Sequence, residues 1–527
     1  TKYASSDYTK QGEYSSSKSR SWRYTMNTGI AYALSLNDHN LTFNGRAEIR
    51  STSSNTESFV ATGFPKGVGA IPSFAYSFKE NSTPGYSESI SRGVSFLGTF
   101  NYNYKYRYLF DASLSSDGST SFGRDKKFQT FWSVGAGWNV SKESFAKDWD
   151  WMQELKLRGS FGSNGNQNVS NLTSNVYSYY AGSDIFGTAS YLSGYANPNL
   201  EWQVVKKTSV GIDLMFWDNR LLLTMDYYHT NTNPLVVSIQ QKPSSGLSTL
   251  PINLGHLNTN GFEFNVSWYA IRNLEKRIML NFRLNGNTYK SVYGGFGEAL
   301  ANLNDAYKKD SSVDSKLNVN SMIQYQDGES PTALFAVRSL GIDPATGKEV
   351  FLTKNGTPTF DYNADDRVKI ADTNPKIRGV FGISFTYKNL QASVNLRYNL
   401  GSFAFNSALF NKVENISASN IAYNQDKRAL YSRWQNAGDV SQFKGISLTT
   451  QTPISSRFVQ RDNYLRGESA RISWDFSRDE WIKRLFLKDL RFNVSFNDFF
   501  DLSEMKRERG TDYPFQRAIS FGLSARF

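Results

Sequence analysis

One acidic segment of the sequence has the residue types and spacing of a calcium-binding loop. The segment reads FDYNADDRVKIAD over residues 360–372, and its ligand-type residues are Asp361, Asn363, Asp365 and Asp372. These four occupy positions 1, 3, 5 and 12 of the spacing used by EF-hand loops. However, position 6 is Asp366, where such a loop needs glycine for its sharp turn, and position 12 lacks the bidentate glutamate. The segment is a weak Ca²⁺ candidate, and a polar loop without metal is the favoured interpretation.

The three histidines, His39, His229 and His256, are the other side chains suited to catalysis or metal binding. They are widely separated in the sequence, so neither a hydrolase triad nor a zinc site is indicated. The chain contains no cysteine, which excludes thiol nucleophiles and zinc–thiolate sites. We find no phosphate-binding loop and no carboxylate pair of the kind that glycoside hydrolysis needs. The sequence therefore predicts no catalytic residues, no enzyme activity and no organic cofactor.

Tyrosines crowd one long polar stretch of the chain. The four that stand out are Tyr177, Tyr179, Tyr180 and Tyr191. Tyrosine combines an apolar ring with a polar tip and is enriched at protein interfaces. These residues are therefore candidate contacts for a substrate or a partner protein. Packing within the loop is the simpler alternative.

The composition limits which elements can position these residues. The hydrophobic fraction of the 527 residues is 39%, and no apolar run approaches the length of about 20 residues that a membrane helix needs. Aromatic residues make up 15% of the chain, which suits a barrel with aromatic girdles at both membrane interfaces. The formal net charge is +12, but the basic residues are scattered and form no nucleic-acid-binding motif. We attribute this charge to loops and strand ends near lipid headgroups.

Apolar and polar residues alternate in segments of about ten residues, the length of a tilted membrane-crossing strand. In the last segment Ile519, Phe521, Leu523, Ala525 and Phe527 fall on one face, and polar or small residues fall on the other. This pattern indicates a lipid face and a lumen face. It predicts fifteen strands, near 22–34, 39–50, 93–103, 107–117, 131–141, 155–162, 203–216, 220–230, 261–271, 278–290, 378–387, 390–400, 464–476, 490–500 and 517–527.

The connections between these strands alternate in length, as they do in bacterial barrels. The short ones are LNDH at 36–39, NYKY at 103–106, WDNR at 217–220 and YKNL at 387–390, with two longer ones at 142–154 and 477–489 that suggest short helical turns. The long ones are 51–92, 163–202, 231–260, 291–377, 401–463 and 501–516. A periplasmic C-terminus places every short turn in the periplasm and every long loop outside the cell. The predicted fold is thus an all-β, transmembrane antiparallel barrel in the outer membrane.

The strand count is odd, whereas bacterial single-chain barrels use an even number. The first and last predicted strands would run in the same direction and could not pair antiparallel. An open edge in lipid leaves backbone groups unpaired at several kcal/mol each. We therefore expect residues 1–527 to be the C-terminal portion of one barrel domain, closed by strands that are not in this chain.

Two motifs lie at the ends of predicted strands. In NPNLEW, Asn197-Pro198 predicts a turn, and Trp202 is expected to anchor the next strand at the outer interface. In DGSTSFG, Asp117-Gly118 predicts a turn at the top of a strand. We interpret both motifs as structural.

Several blocks, in order, resemble the SusC/RagA-type TonB-dependent transporters of Bacteroidetes. They include LKLRGSFGSNGNQ (155–167), NPNLEWQVVKKTSVGIDLMFWDNRLLLTMDYYHTNT (197–232), NLGHLNTNGFEFNVSW (253–268), GIDPATGKEVF (341–351), RFVQRDNYLRGESARISW (457–474) and YPFQRAISFGLSARF (513–527). The likeness covers roughly residues 93–527. The chain departs from the family at Trp132, where proline is usual, and at Glu468, where an apolar residue is common. Glu468 is therefore expected to face the lumen or to lie above the membrane.

The resemblance implies a barrel of about 22 strands, with a plug and a TonB-contacting segment outside this chain. It implies import of oligosaccharides or peptides, with a SusD-like surface lipoprotein as lid and the TonB–ExbB–ExbD complex acting through the missing N-terminal region. The other expected partners are the N-terminal remainder of the barrel, outer-membrane lipid and lipopolysaccharide. The alternative hypothesis is a structural or scaffolding subunit of a larger outer-membrane assembly without active transport.

Overall fold

The computed structural model describes most of the chain. The described residues are 12–65, 67, 69, 71–79, 84–122, 126–166, 176–180, 189–194, 197–240, 249–301, 303–305, 322–416, 421, 425–447, 450–477, 479–484, 487–506 and 517–526. At 176–180, 189–194, 240, 249 and 483–484 the backbone alone is described. Within these ranges no helix combines the length and the apolar character needed to cross a membrane.

In the described residues, fifteen antiparallel strands of a sixteen-stranded sheet each pair with the next of the fifteen along the chain, and the short strand Ser77–Phe78 pairs with the end of the second strand. All fifteen predicted strands are confirmed. Their bounds are β1 Glu13–Leu36, β2 His39–Thr62, β3 Gly85–Tyr104, β4 Tyr108–Ser119, β5 Phe128–Asn139, β6 Met152–Asn166, β7 Gln203–Phe216, β8 Leu221–Thr232, β9 His256–Asn273, β10 Ile278–Gly294, β11 Ile377–Tyr387, β12 Leu390–Leu400, β13 Tyr464–Asp475, β14 Asp489–Ser503 and β15 Ala518–Arg526.

The register of this sheet keeps the apolar and the polar side chains of each strand on separate faces. On β15, Ile519, Phe521 and Leu523 are 56%, 71% and 71% exposed. Phe521 pairs with Val494 of β14, and Val494 pairs with Ile472 of β13. Side chains that are opposite each other in a sheet lie on the same face. The sheet therefore has a continuous apolar face, which we call the membrane face, and a lumen face of polar side chains.

The first two strands are longer than the sequence pattern predicts. β1 and β2 each have 24 residues and stay paired from Leu36 and His39 to Glu13 and Thr62. The predicted long link 51–92 is therefore wrong over 51–62 and 85–92, which are strand. Residues 51–62 are rich in serine and threonine. Their sequence lacks the apolar alternation because a strand that rises above the lipid needs no apolar face.

The short turns are confirmed where they were predicted, but the residues that form them were not all expected. Asn37 has a φ of 50° and Lys388 a φ of 52°, both in the left-handed region. Trp217, Asp218 and Asn219 also have positive φ. Asparagine tolerates this conformation well, whereas lysine and tryptophan do not prefer it. The short turn that connects two neighbouring strands therefore imposes a left-handed backbone that these residues do not prefer locally.

The Asp117-Gly118 turn is not present. Both residues lie inside β4, where Asp117 pairs with Ser95 and Gly118 with Val94. A Cβ atom at Gly118 would lie 2.6 Å from the ring of Phe128 on β5. The glycine thus makes room for an aromatic ring on the neighbouring strand.

The two longer periplasmic links contain short helical turns, as predicted. The first has 3₁₀ turns at Val140–Lys142 and Ser144–Ala146, and the second has a helix at Glu480–Arg484. In the first link, Glu143 accepts hydrogen bonds from the Tyr108 hydroxyl at 2.7 Å and from Trp138 Nε1 at 3.1 Å. Glu143 also lies 3.3 Å from Arg107 Nη1. These contacts attach the link to the ends of β4 and β5.

We expect the stability of this link to depend on pH. The hydrogen bond from Tyr108, followed by that from Trp138, lowers the pKa of Glu143, while burial opposes the change. The stabilisation is therefore fully present above the ordinary pKa of a glutamate, about 4.3, and is lost as the pH falls through the lower folded value. Glu143→Gln should lower the unfolding temperature at pH 7, and the difference from the native chain should disappear in acid. Asp148→Asn, in the same link but exposed, is the control; an equal effect of both changes at pH 7 would refute the prediction.

Candidate functional site

Three charged side chains on neighbouring strands form an ion cluster on the lumen face. Arg158 of β6 donates from Nε and Nη2 to Asp213 of β7, at 2.8 and 3.0 Å. The same Nη2 lies 3.1 Å from Asp226 of β8. Gly211 leaves the space for this cluster, because a Cβ atom there would lie 2.3 Å from Asp226. Charges of this kind are compatible with a water-filled interior and not with contact to lipid.

A concave polar region lies on the lumen face between β8 and β13, and we call it the lumenal cleft. Its cavity volume is about 600 Å³. Arg378 Nε donates to Asn287 Oδ1 at 3.2 Å, and the Arg378 guanidinium lies 5.6 Å from the centre of the Tyr289 ring. The polar side chains that line the cleft are Thr224, Asp226, Glu263, Asn265, Asn285, Asn287, Arg378, Arg397, Asn399 and Tyr464. Amides and charges of both signs can together bind neutral or zwitterionic polar solutes.

Glu468 belongs to this lumen face. It is the extra residue of a bulge in β13, between Gly467 and Ser469, which pair with Leu396 and Asn395. Its carboxylate forms an ion pair with Arg397 of β12, a residue of the lumenal cleft. The expected lumen orientation of Glu468 is therefore confirmed. A bulge re-aims a side chain, which explains how a charge fits at a position that alternation alone would assign to lipid.

Two long extracellular links fold together above the cleft. The described parts of 322–376 and 401–463 form what we call the two-loop module. Its strands are Ala333–Ile342, Glu349–Leu352, Pro358–Thr359 and Arg367–Asp372 in one sheet, and Phe403–Phe405 with Val459–Arg461 in another. Its core consists of Met322, Leu334, Ala336, Phe405, Leu409, Phe410, Val413, Ala429, Phe443, Ile454 and Phe458. Since both links contribute to one core, we expect them to move as one body.

A buried ion cluster joins the two links of this module. Arg457 Nη2 lies 2.9 Å from Glu349 and 2.8 Å from Glu414. The side chains are 13%, 4% and 0% exposed, respectively. Burial alone would lower the pKa of Arg457, but hydrogen bonds and charge attraction from Glu414 and Glu349 raise it above its ordinary value. Ser455 and Thr452 donate further hydrogen bonds to the two carboxylates, at 2.6 and 2.9 Å.

A second contact between the links involves the GIDPATGKEVF segment. Asp343 accepts hydrogen bonds from the backbone and hydroxyl of Thr346 and closes a tight turn. Trp434 of the other link covers Gly347, where a Cβ atom would lie 2.4 Å from the indole. Trp434 Nε1 also donates to the carbonyl oxygen of Pro344 at 2.8 Å. Gly347 has a φ of 68°, a backbone conformation that favours glycine. The indole of Trp434 also leaves no room for a side chain there.

The calcium-candidate residues lie in the two-loop module, and several have other partners. Asn363 Oδ1 accepts from the backbone N–H of Asp365 at 3.0 Å and caps a 3₁₀ turn. Asp372 accepts from the Thr332 hydroxyl at 2.6 Å and from the Asn374 backbone at 2.9 Å. In the described part of the chain no group of three or more His, Cys, Asp or Glu side chains could hold a metal ion. Calcium binding by this segment stays a prediction.

For the four tyrosines proposed as ligand contacts, the structure describes the backbone alone. The segments Val176–Tyr180 and Ala189–Gly194 form two paired strands, which contain Tyr177, Tyr179, Tyr180 and Tyr191. Their side chains lie outside the described residues. Their role in contacting a substrate or partner stays a prediction.

The histidines occupy separate places. His39 Nδ1 lies 2.8 Å from the Tyr102 hydroxyl at a periplasmic turn. His229 Nδ1 lies 2.8 Å from Asn260 Oδ1. His256 packs beside Gly294, where a Cβ atom would lie 2.5 Å from its Nε2. The structure therefore does not bring the three together.

Trp202 does not anchor β7 at the lipid interface, so that prediction is wrong. Its side chain is 2% exposed and stacks on Phe122 with a ring-centre distance of 4.1 Å. Phe131 meets it edge-on, and its Nε1 donates to the carbonyl oxygen of Lys126 at 3.1 Å. Trp202 thus fills a small aromatic core above the membrane. The predicted turn before it is present, since Asn197 Oδ1 accepts from the backbone of Asn199.

Sequence reasoning missed the ion cluster of Arg457, Glu349 and Glu414. The blocks that contain Arg457 and Glu349 are distinctive in sequence, but the two residues are 108 positions apart. A sequence signal was present, namely charged residues beside apolar ones in RFVQR and GKEVF. Only the fold shows that they meet.

The family model and the related sequences that match this chain all describe TonB-dependent receptors. The family model described as "TonB dependent receptor-like, beta-barrel" matches residues 1–330. TonB-dependent receptor P3 of Formosa agariphila is 26% identical over 436 residues, covering 80% of this chain and 41% of that protein. TonB-dependent receptor SusC of Bacteroides thetaiotaomicron is 25% identical over 459 residues, covering 82% of this chain and 44% of that protein. The chain thus spans less than half the length of these two relatives.

The fold of this chain matches that of a solved transporter structure. The structure described as "Structure of the RagAB peptide transporter" superposes with a TM-score of 0.79 at 19% sequence identity. The match covers 94% of this chain and 53% of that one. The chain belongs to the TonB-dependent receptor-like β-barrel family of the bacterial outer membrane, and it is similar to SusC in sequence and to the RagAB transporter in fold.

Proposed function

We propose that this barrel wall serves TonB-dependent import of a polar nutrient across the outer membrane. The observation that carries the proposal is the lumen face, where charged and amide side chains of successive strands line a cleft below the two-loop module. Such a surface lowers the barrier that hydrocarbon presents to polar solutes. The substrate class is oligosaccharides or peptides, and the name of the RagAB peptide transporter supports the second.

The proposal includes partners that this chain does not contain. A SusD-like lipoprotein would cover the extracellular side, and the TonB–ExbB–ExbD complex would supply energy. We also propose that further strands close the barrel. Among the described residues, β1 pairs only with β2 and β15 only with β14, so each has one open edge. Open edges in lipid are strongly unfavourable. A native polypeptide mass above 59.6 kDa, or a second subunit that pairs with these strands, would support closure.

A blocked lumen tests import directly. Residues 1–527 contain no cysteine, so Asn287→Cys adds a thiol to this part of the protein, in the lumenal cleft. Modification with a bulky thiol reagent should reduce nutrient uptake at least tenfold, because the adduct fills the cleft. Leu284→Cys, on the membrane face of the same strand, is the matched control and should retain uptake.

The outcomes separate import from a scaffolding role. Deletion of the gene should abolish growth on one polymer-derived nutrient. Unchanged uptake of every such nutrient after deletion contradicts import and favours scaffolding. Loss of growth on deletion, but full uptake with the Asn287 adduct, would place the route outside this cleft.

A further inference from the structure

Two glycines lie side by side on the membrane face without a local reason to be glycine. Gly45 of β2 pairs with Gly98 of β3. A Cβ atom at Gly45 would be 3.9 Å from Phe43, and one at Gly98 would be 4.0 Å from the carbonyl oxygen of Leu114. These are ordinary contact distances, and neither residue has a positive φ. Space, and not backbone conformation, is what the two glycines provide.

Large apolar side chains surround this pair and turn the space into a groove. Phe43 and Phe96 stand on either side along the strands, and Leu114 and Trp132 follow Gly98 across the sheet. The groove has a volume of about 930 Å³, and its surface is mostly apolar. An apolar cavity of about 150 Å³ already accommodates a molecule the size of benzene. The groove is therefore large enough for a flexible hydrocarbon chain.

The depth of the groove places it in the hydrocarbon layer. Tyr104 and Tyr108 stack on each other beside the periplasmic turn, as expected of interfacial aromatic residues. Gly98 is six residues above Tyr104 on β3. At a strand tilt near 45° this separation is about 14 Å along the membrane normal. The groove thus runs from the periplasmic leaflet toward the centre of the membrane.

We propose that this groove binds one acyl chain of a phospholipid from the periplasmic leaflet. Hydrocarbon surrounds this face, so an unfilled groove would lose dispersion contacts along its floor and walls. A flexible chain can follow the glycine floor between the projecting rings of Phe43 and Phe96. A second barrel would first meet those rings, because they stand above the floor. The inference depends on the membrane placement of the sheet and not on transport.

Native mass spectrometry of the intact outer-membrane protein tests the proposal. The natural protein released from detergent should retain about one phospholipid. Gly45→Leu with Gly98→Leu fills the groove and should reduce the retained fraction at least fivefold. Gly159→Leu is the matched control, because Gly159 is also on the membrane face and has no atom within 4 Å of its Cβ position. It should retain the lipid.

Equal retention by the groove-filled variant would overturn the proposal, as would a lipid-free natural protein. A natural protein that dimerises without lipid, and a filled variant that does not, would assign the groove to a second copy instead. If the groove-filled variant fails to fold, a second measurement on the natural protein tests the proposal.

Phospholipid with brominated chains should quench the fluorescence of Trp132 at a lower mole fraction than it quenches that of Trp268, which lies on the membrane face of β9. The fluorescence of Trp132 is measured as the difference between the natural protein and Trp132→Phe. Identical quenching curves would contradict a specific site.

Discussion

Arg457→Met should unfold the two-loop module while leaving the barrel intact. The change leaves Glu349 and Glu414 buried at 4% and 0% exposure without their cation. Removal of one partner from a buried ion pair costs about 3 to 5 kcal/mol, because the remaining charge is left without compensation. A loop module of this size has little stability to spare. Hydrogen exchange of the module amides should therefore rise by more than a hundredfold, whereas the amides of β1–β15 should stay protected.

Two further variants show whether the effect is electrostatic. Lys369→Met removes an exposed ion pair with Glu329 in the same module and should cost less than 1 kcal/mol. Adding Glu349→Gln and Glu414→Gln to Arg457→Met should restore part of the protection, because the uncompensated charges are gone. Native-like protection in Arg457→Met alone would show that the cluster does not hold the two links together.

A charge on the membrane face should destabilise the barrel far more than the same charge on the lumen face. Phe521→Arg places a cation near the middle of β15, on the face that meets lipid. The cost for arginine at the membrane midplane of a barrel is about 2 to 4 kcal/mol. Ser520→Arg, one residue away on the lumen face, should cost less than 1 kcal/mol. Phe521→Ala separates the loss of the ring from the introduction of charge.

Denaturant unfolding in lipid vesicles measures the difference between these variants. The free energy of unfolding should be lowest for Phe521→Arg, and Ser520→Arg should resemble the natural protein. Equal losses at the two positions would mean that water reaches both faces of the strand. The membrane assignment of β15, and of the strands whose register follows from it, would then be wrong.

The sequence was sufficient to locate the barrel strands because lipid imposes a strict rule on each of them separately. A segment such as 519–525 must alternate to place one face in hydrocarbon, and this requirement is visible without knowing its neighbours. The parts of β1 and β2 that rise above the lipid are not subject to that rule, so the apolar/polar alternation in the sequence ends near residue 50. The same reasoning misplaced Asp117-Gly118, because the close approach of Phe128 is a contact between strands and leaves no local trace.

The two-loop module was not predictable for a different physical reason. Its core resembles that of a soluble domain, assembled from segments that are distant in the sequence. Ser339 and Ser456, for example, are hydrogen-bonded across 117 positions. No period of two or 3.6 residues reports such contacts, and the links appeared as long polar loops. Trp202 illustrates the same limit, since an aromatic residue at a strand end suits both a membrane girdle and a small buried core.

The central claim is that successive residues of each strand contact hydrocarbon and water in turn, and single cysteines along β15 test it most directly. Residues 1–527 contain no cysteine, so each variant adds one thiol to this part of the protein, and labelling is read relative to the natural protein. In intact outer membranes a charged, membrane-impermeant maleimide should label Ser520→Cys and Ser524→Cys and leave Ile519→Cys, Phe521→Cys and Leu523→Cys unmodified. A hydrophobic reagent dissolved in the lipid should give the reverse pattern. Equal labelling of adjacent positions by the charged reagent, in material that dissolves without detergent, would contradict the account.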